Sequence, residues 1–276
     1  MSTQPPISRG LANIFLAGAV AISLAPLLLV AVNAFKSRRD IVQNPLSLPL
    51  ELDFGNFVRA WNGGKFSIGI VNSLLLSGTT VVITLFAASL AAYVLARRKV
   101  RFWQLVTLYF LCATTVPIQM FLFPLYAIFA QVGLVGNIFG TALILSALNL
   151  PLAIFLLRAT ILTIPVELEE AAYMDGAKPL RILWEVIAPL TRPGLVTVAI
   201  IVWLNSWNEF LITSTFQQGQ SNFTMTLGYL SMNNTFSTDQ GAMMAGAFIL
   251  IAPIILFFVL LQRFFIEGMT AGSVKG

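Results

Sequence analysis

The chain has 276 residues, 58% of them hydrophobic and only 10% charged, with a formal net charge of +5. Soluble domains carry about 25% charged residues, so this composition is that of a polytopic membrane protein, in which a modest basic excess reflects lipid-facing and cytosolic loops rather than nucleic-acid binding. The absence of histidine excludes His-based acid–base catalysis and His-ligated metals, and a single cysteine excludes an internal disulfide or a cysteine cluster.

A membrane-spanning helix needs roughly 20 apolar residues. Six segments reach that length, approximately 11–34, 70–96, 102–130, 136–157, 194–214 and 243–262. The fold class expected is therefore all-α, with six transmembrane helices in one membrane domain over 1–276. In the first segment Val32-Asn33-Ala34 resembles a signal-peptide cleavage site, but the apolar stretch is about twice the usual length of such a leader, and a retained span is expected. Pro117 and Pro124 interrupt the third segment with Gln119 between them, which predicts a kinked helix rather than a break. Cys112, in the same apolar run, reads as a small buried hydrophobe. Gly136 and Gly140 form a small-xxx-small pair at the start of the fourth segment, and plain packing is its simplest use.

Orientation follows from the basic residues. With the N-terminus in the cytosol, that side holds 11 of the 16 Lys and Arg residues (Arg9, Arg97, Arg98, Lys99, Arg101, Arg158, Lys178, Arg181, Arg192, Arg263 and Lys275). The other five, Lys36, Arg38, Arg39, Arg59 and Lys65, lie in the first external loop. That cluster argues locally for the opposite orientation, but the summed bias places both termini in the cytosol. The external loops differ: 36–69 is mixed and proline-punctuated, whereas 215–242 is rich in amides and hydroxyls. Neither resembles a separate soluble domain, and no internal repeat or low-complexity tract is visible.

Between the fourth and fifth segments lies a polar insert, 159–193, which holds five acidic residues: Glu167, Glu169, Glu170, Asp175 and Glu185. Such a stretch cannot sit in hydrocarbon. Pro165 suits a first helical position, the glutamates that follow complement a helix N-terminus, and Gly176 suits the left-handed residue that ends the helix. Pro179 can open a second helix, in which Leu180, Leu183, Trp184 and Ile187 fall at i, i+3, i+4, i+7 and form an apolar stripe that needs a covering partner. The spacing alone fits either a docking element for a second protein or an amphipathic pair lying on lipid headgroups, and the acidic first helix argues against anionic lipid.

The residues of this insert carry a resemblance. Glu170-Ala171-Ala172-Tyr173-Met174-Asp175-Gly176-Ala177, followed by Ile187, Pro189-Leu190 and Pro193, resembles the EAA loop of bacterial ABC-importer permeases. The family pattern closes on I-x-L-P; here Ala188 stands where leucine is common, and Pro189 keeps the spacing. The tail from Arg263 to Gly276 and the run Trp203-Leu204-Asn205-Ser206-Trp207-Asn208-Glu209-Phe210 resemble those of maltose-type, carbohydrate-importing permeases, specifically the second permease of the pair. The resemblance implies that Glu170, Ala171, Ala172, Asp175, Gly176, Ala177, Ile187 and Pro189 form a coupling helix and its frame, seated in a cleft of a cytosolic ATPase. It implies a homologous second permease, two ATPase subunits and a periplasmic or lipid-anchored solute-binding protein as partners in a bacterial inner membrane. It also implies that the glycine-rich tail threads toward the interface between the ATPase subunits.

No ATP site is expected on this chain. The only Gly-Lys pair, Gly64-Lys65, has Arg59 where a phosphate-binding loop needs glycine and Phe66 where it needs Ser or Thr. ATP and Mg are expected on the partner, with no cofactor, metal or catalytic residue here. Substrate-path candidates are the intramembrane polar residues Gln119, Asn149, Asn205, Trp207, Asn208 and Glu209, since amides, a carboxylate and an aromatic face suit a sugar. Within one continuous fifth helix, 205, 208 and 209 share a face. The same residues equally suit helix-to-helix hydrogen bonding and interfacial anchoring. A secondary transporter would show midplane ion-coupling charges and repeated halves, where this chain shows at most Glu209 and no repeat; a membrane enzyme would show His, clustered acids or a cofactor motif, and this chain lacks them. A permease for an amino acid, polyamine or ion is the nearer alternative to carbohydrate.

Overall fold

Every regular element among the described residues is helical. The computed structural model describes residues 6–49, 51–97, 100–233 and 239–271, so Arg98, Lys99 and the tail beyond Ala271 lie outside it. In chain order the helices are α1 (Pro6–Asn33), α2 (Arg38–Gln43), α3 (Gly55–Gly63), α4 (Phe66–Ala96), α5 (Trp103–Ala113), α6 (Leu122–Gln131) and α7 (Ile138–Ile161). They continue as α8 (Glu167–Met174), α9 (Pro179–Ile182), α10 (Ala188–Leu190), α11 (Arg192–Trp207), α12 (Leu211–Phe216), α13 (Met225–Ser231) and α14 (Gln240–Ala271). α1, α4, α7 and the Gln240–Leu260 part of α14 are each long and apolar enough to cross a bilayer alone, and two sharply bent pairs raise the count to six if each pair is one span.

The bent pairs depart from the sequence reading. α5 and the helical run from Ile118 meet at 89°, with Thr114–Pro117 non-helical between them. The third segment is thus broken, not kinked: Pro117 has no N–H to donate and holds an extended backbone (ψ 127°). Cys112, at the end of α5, is exposed rather than buried within this chain. The second pair, Pro179–Leu190 and α11, meets at 84°. α11 itself stops at Trp207, so the fifth segment is not one helix over 194–214. Its 16 residues reach about 24 Å at 1.5 Å per residue.

Packing divides the chain into two compact units, residues 1–66 with 228–253 and residues 67–227 with 254–276. In the first, Phe35 lies against Phe54 and Phe57, and Phe57 meets Phe248 edge-on. Asn56 is buried and donates from Nδ2 to the carbonyls of Ala34 and Lys36, both at 2.9 Å. Lys36 is also fully buried, and its ammonium donates to the carbonyls of Asn44 and Pro45. The loop after α1 is thereby folded back on itself. Gly228 touches Gly64 backbone to backbone: a Cβ there would fall 2.0 Å from the Gly64 carbonyl oxygen.

In the second unit α4, α7, α11 and the insert share one core, centred on Ala88, Ala92, Leu95, Ile154, Leu157, Ile182, Leu183, Ile187, Val198 and Val202. Small residues let the helices approach closely. A Cβ on Gly194 of α11 would lie 2.6 Å from Thr160 Oγ1 of α7. Gly136 and Gly140 serve packing as expected, but against a turn and not a helix stripe. Gly136 is left-handed (φ 78°) and donates to the Phe216 carbonyl at 2.7 Å, while Gly140 faces Leu134 and Phe129 of the preceding turn and helix.

Candidate functional site

α7 runs to Ile161, three residues into the expected insert, and α8 starts at Glu167, so Pro165 precedes the helix by two residues instead of opening it. The N-terminal turn carries Glu167, Glu169 and Glu170, where carboxylates complement the exposed amides. The helix ends as its glycine requires. Gly176 has φ 81°, and the amides of Gly176 and Ala177 donate to the carbonyls of Tyr173 and Ala172 at 2.9 and 3.0 Å. Lys178 is extended, and Pro179 takes the first position of α9.

The second helix of the insert differs from its expected stripe. A π-turn over Leu183–Ile187 widens the helix between α9 and α10. Ile182, Leu183 and Ile187 are buried in this chain's own core, whereas Leu180 and Trp184 are exposed. Trp184 stacks on Phe86 of α4, with ring centroids 6.0 Å apart and planes 10° apart. Half of the expected stripe, Leu183 and Ile187, is therefore covered within the chain, while Leu180 stays exposed. The outer face of α8 is exposed as well.

Glu170, Ala171, Asp175, Gly176 and Pro189 are exposed, Ala172 and Ala177 are half-buried against the core, and Ile187 is buried. Met174 is 89% exposed beside exposed Leu168 and Tyr173. The acidic residues divide by face: Glu167, Glu170 and Asp175 point to solvent, Glu185 pairs with Arg181 at the surface (2.7 Å), and Glu169 turns inward. The Glu169 carboxylate accepts from the Tyr93 hydroxyl at 2.9 Å and from Arg97 Nε. Sequence reasoning singled out Glu170 and missed Glu169. The available signal was the Glu169–Ala172 spacing on the inward face and the Tyr93–Arg97 spacing at the end of an apolar span.

The intramembrane polar residues do not form one cluster. Asn205 Nδ2 donates to Asn149 Oδ1 at 2.9 Å, and Asn149 Nδ2 donates to the Leu145 carbonyl. Trp207 is buried, stacks on Trp203 at 4.9 Å, and its indole nitrogen has no acceptor among the described residues. Asn208 is exposed and donates to the Leu204 carbonyl. Glu209 lies beyond the end of α11, so 205, 208 and 209 do not share a helical face. Its carboxylate accepts from the amides of Ile212 and Thr213 at 2.7 and 2.8 Å and caps α12. Gln119 is exposed on the 3-10 turn at the α5–α6 break.

The profile of a family described as "Binding-protein-dependent transport system inner membrane component" matches residues 83–270, which contain the insert and the broken fifth segment. The chain is 37% identical to the probable ABC transporter permease protein YurM of Bacillus subtilis, over 91% of this chain and 83% of that one. It is 30% identical to the arabinooligosaccharides transport system permease protein AraQ of Halalkalibacterium halodurans, over 98% of both chains. Its fold matches a chain in the crystal structure of a bacterial ABC transporter involved in alginate import, with a TM-score of 0.80 and 22% identity over 96% of this chain and 100% of that chain. The solvent-facing α8, its left-handed Gly176 and these matches agree: the chain belongs to the family of binding-protein-dependent transport system inner membrane components.

Proposed function

We propose that this chain is the permease subunit of an ATP-driven importer of carbohydrate in a bacterial inner membrane. The observation that carries the reading is α8, a short acidic helix that exposes Glu170, Ala171, Asp175 and Met174 while its other face is rooted in the transmembrane core. An exposed rigid element fixed to the spans is what a cytosolic ATPase needs to grip. Hydrolysis takes place on that partner, which holds ATP and Mg, and this chain contributes no cofactor or catalytic group. A second, homologous permease completes the pore, two ATPase subunits drive it, and a solute-binding protein delivers the cargo. Both termini face the cytosol, a reading supported by the distribution of Lys and Arg.

Carbohydrate as cargo is supported by the arabinooligosaccharide permease among the relatives and by the likeness of the Trp203–Phe210 run to sugar permeases. The test is co-expression with the partner subunits and the binding protein, native mass measurement, and ATP-driven uptake into proteoliposomes. Labelled arabino-oligosaccharide is offered beside a labelled amino acid and a polyamine. A complex of two permeases and two ATPases that imports the sugar is expected. A transport-active homodimer lacking ATPase chains would refute the coupling role, and uptake of only the amino acid or polyamine would refute the cargo.

A further inference from the structure

α8 is fastened from inside by one buried ionic contact. The Glu169 side chain is 3% exposed and that of Arg97 11% exposed. Tyr93 and Arg97 stand four residues apart at the inner end of α4, on one helical face, and both donate to the Glu169 carboxylate. Arg97 also donates from its second terminal nitrogen to the Ile164 carbonyl at 3.2 Å, in the connection that leads from α7 into α8. A single guanidinium therefore ties the inner end of α4 both to α8 and to the segment that precedes it. Removing either partner of a buried ion pair leaves the other charge desolvated and uncompensated, so such a contact resists being pulled apart. Around this contact, Tyr93, Leu95 and Ala96 share an apolar core with Ile161, Ile164 and Ile182.

The two faces of α8 thus differ in chemistry. Glu167, Glu170 and Asp175 are exposed, whereas Glu169 turns into the transmembrane body. α4 is held a second time where Phe86 stacks on Trp184, one helix further along the insert.

We propose that Glu169, Arg97 and Tyr93 form a latch that transmits displacement of α8 to α4, acting as positioning residues for transport. This inference rests on the coupling role proposed above. It predicts that breaking the latch separates ATP hydrolysis from movement of α4, whereas a merely structural role lowers both together.

The test uses the complete transporter in proteoliposomes, with Cys112→Ala and a reporter cysteine in place of Gly78. Gly78 is an exposed α4 residue with nothing within 4 Å of where a Cβ would stand. The readout is the change in maleimide labelling rate at position 78 on trapping with Mg-ATP and vanadate, measured beside the hydrolysis rate. With Glu169→Gln or Arg97→Met the trapping-dependent change is expected to fall about tenfold while hydrolysis stays within about twofold of wild type, with partial recovery in Glu169→Asp. If Glu169→Gln fails to assemble, Tyr93→Phe, which keeps the ion pair and removes the hydroxyl that donates to Glu169, is judged by the same ratio. An unchanged ratio in the assembled variants overturns the latch, as does a parallel fall of both quantities without recovery in Glu169→Asp. The latch also fails if wild type hydrolyses ATP with no change at position 78, and the coupling role then still stands. Absence of ATPase chains from the wild-type complex removes the coupling role itself, and the latch with it.

Discussion

Asn205 on α11 and Asn149 on α7 are joined side chain to side chain, Nδ2 to Oδ1 at 2.9 Å. Asn149 is buried and its own amide nitrogen is used on the Leu145 carbonyl, so both ends of that side chain are occupied within the helix pair. Asn205 is exposed and keeps its carbonyl oxygen free for another partner. The two asparagines therefore bond helix to helix, and only Asn205 has a side open to anything else. A double-mutant cycle with Asn149→Ala and Asn205→Ala, read by thermal unfolding in detergent, should give a coupling of about 0.6 kcal/mol, typical for such pairs in membranes. In a Cys112→Ala background, Asn205→Cys should react with an impermeant thiol reagent and Asn149→Cys should not. Equal protection of both would assign Asn205 to packing as well.

Glu209 has its partners in the backbone. Each carboxylate oxygen accepts one amide at the start of α12, from Ile212 and from Thr213. Loss of a side-chain cap costs about 1 kcal/mol. Glu209→Ala should lower stability by about that amount, and Glu209→Gln by less, since its amide retains one acceptor oxygen. If Glu209→Gln abolished transport with no change in unfolding temperature, the carboxylate would have a role on the substrate path beyond capping.

The features legible from the sequence are those whose cause is local. Gly176 and Pro179 punctuate the insert where expected, because a left-handed residue and a missing N–H act on their own backbone. The runs that became α4 and α7 were legible from length and apolarity. The inward turn of Glu169 was not, since it depends on Arg97, 72 residues earlier in the chain, and Glu170 next to it has the same chemistry. The Asn149–Asn205 pair spans 56 residues, and no periodicity encodes it. The π-turn at Leu183–Ile187 breaks the constant 3.6-residue period on which the expected stripe rested, and Leu180 and Trp184 are exposed where Leu183 and Ile187 are buried. At Asn208–Phe210 the chain leaves the helix, and Glu209 caps the next one in an apolar context that reads as continuous.

Gly176 isolates a backbone effect from a packing effect. A Cβ at this position would meet nothing within 4 Å, so space does not forbid a side chain; the φ of 81° does. A left-handed L-residue costs roughly 1–2 kcal/mol, with asparagine the best tolerated and β-branched residues the worst. The expected order of coupling is wild type, then Gly176→Asn, then Gly176→Ala, then Gly176→Val, read by ATPase co-purification and hydrolysis stimulated by the loaded binding protein. Equal loss in the asparagine and valine variants would point to a direct contact of the glycine surface with the partner instead.

The Arg59–Asp239 pair has a pH dependence whose sign is fixed. Asp239 precedes α14 and caps it, accepting the Ala242 amide at 3.1 Å, and Arg59 Nε approaches its other oxygen at 2.8 Å. Burial by itself raises the carboxyl, but the Ala242 amide and the Arg59 guanidinium outweigh it and hold Asp239 below its ordinary value of 3.8. A depressed carboxyl contributes stability that is present in full above that value and lost as pH falls through the lower folded one. Arg59 is raised, chiefly by its hydrogen bond to Asp239, and stays charged throughout. Both side chains are about half exposed, 50% and 44%, so solvent screening limits the contribution to about 1 kcal/mol or less. Asp239→Asn keeps a good cap and removes only the charge. Unfolding temperature measured from about pH 5 down to about pH 2 should fall more steeply in wild type than in Asp239→Asn, with the two curves converging at the acid end. High salt should narrow the gap at pH 5, and parallel curves at every pH would show that the cap alone, without the charge, fastens the start of α14.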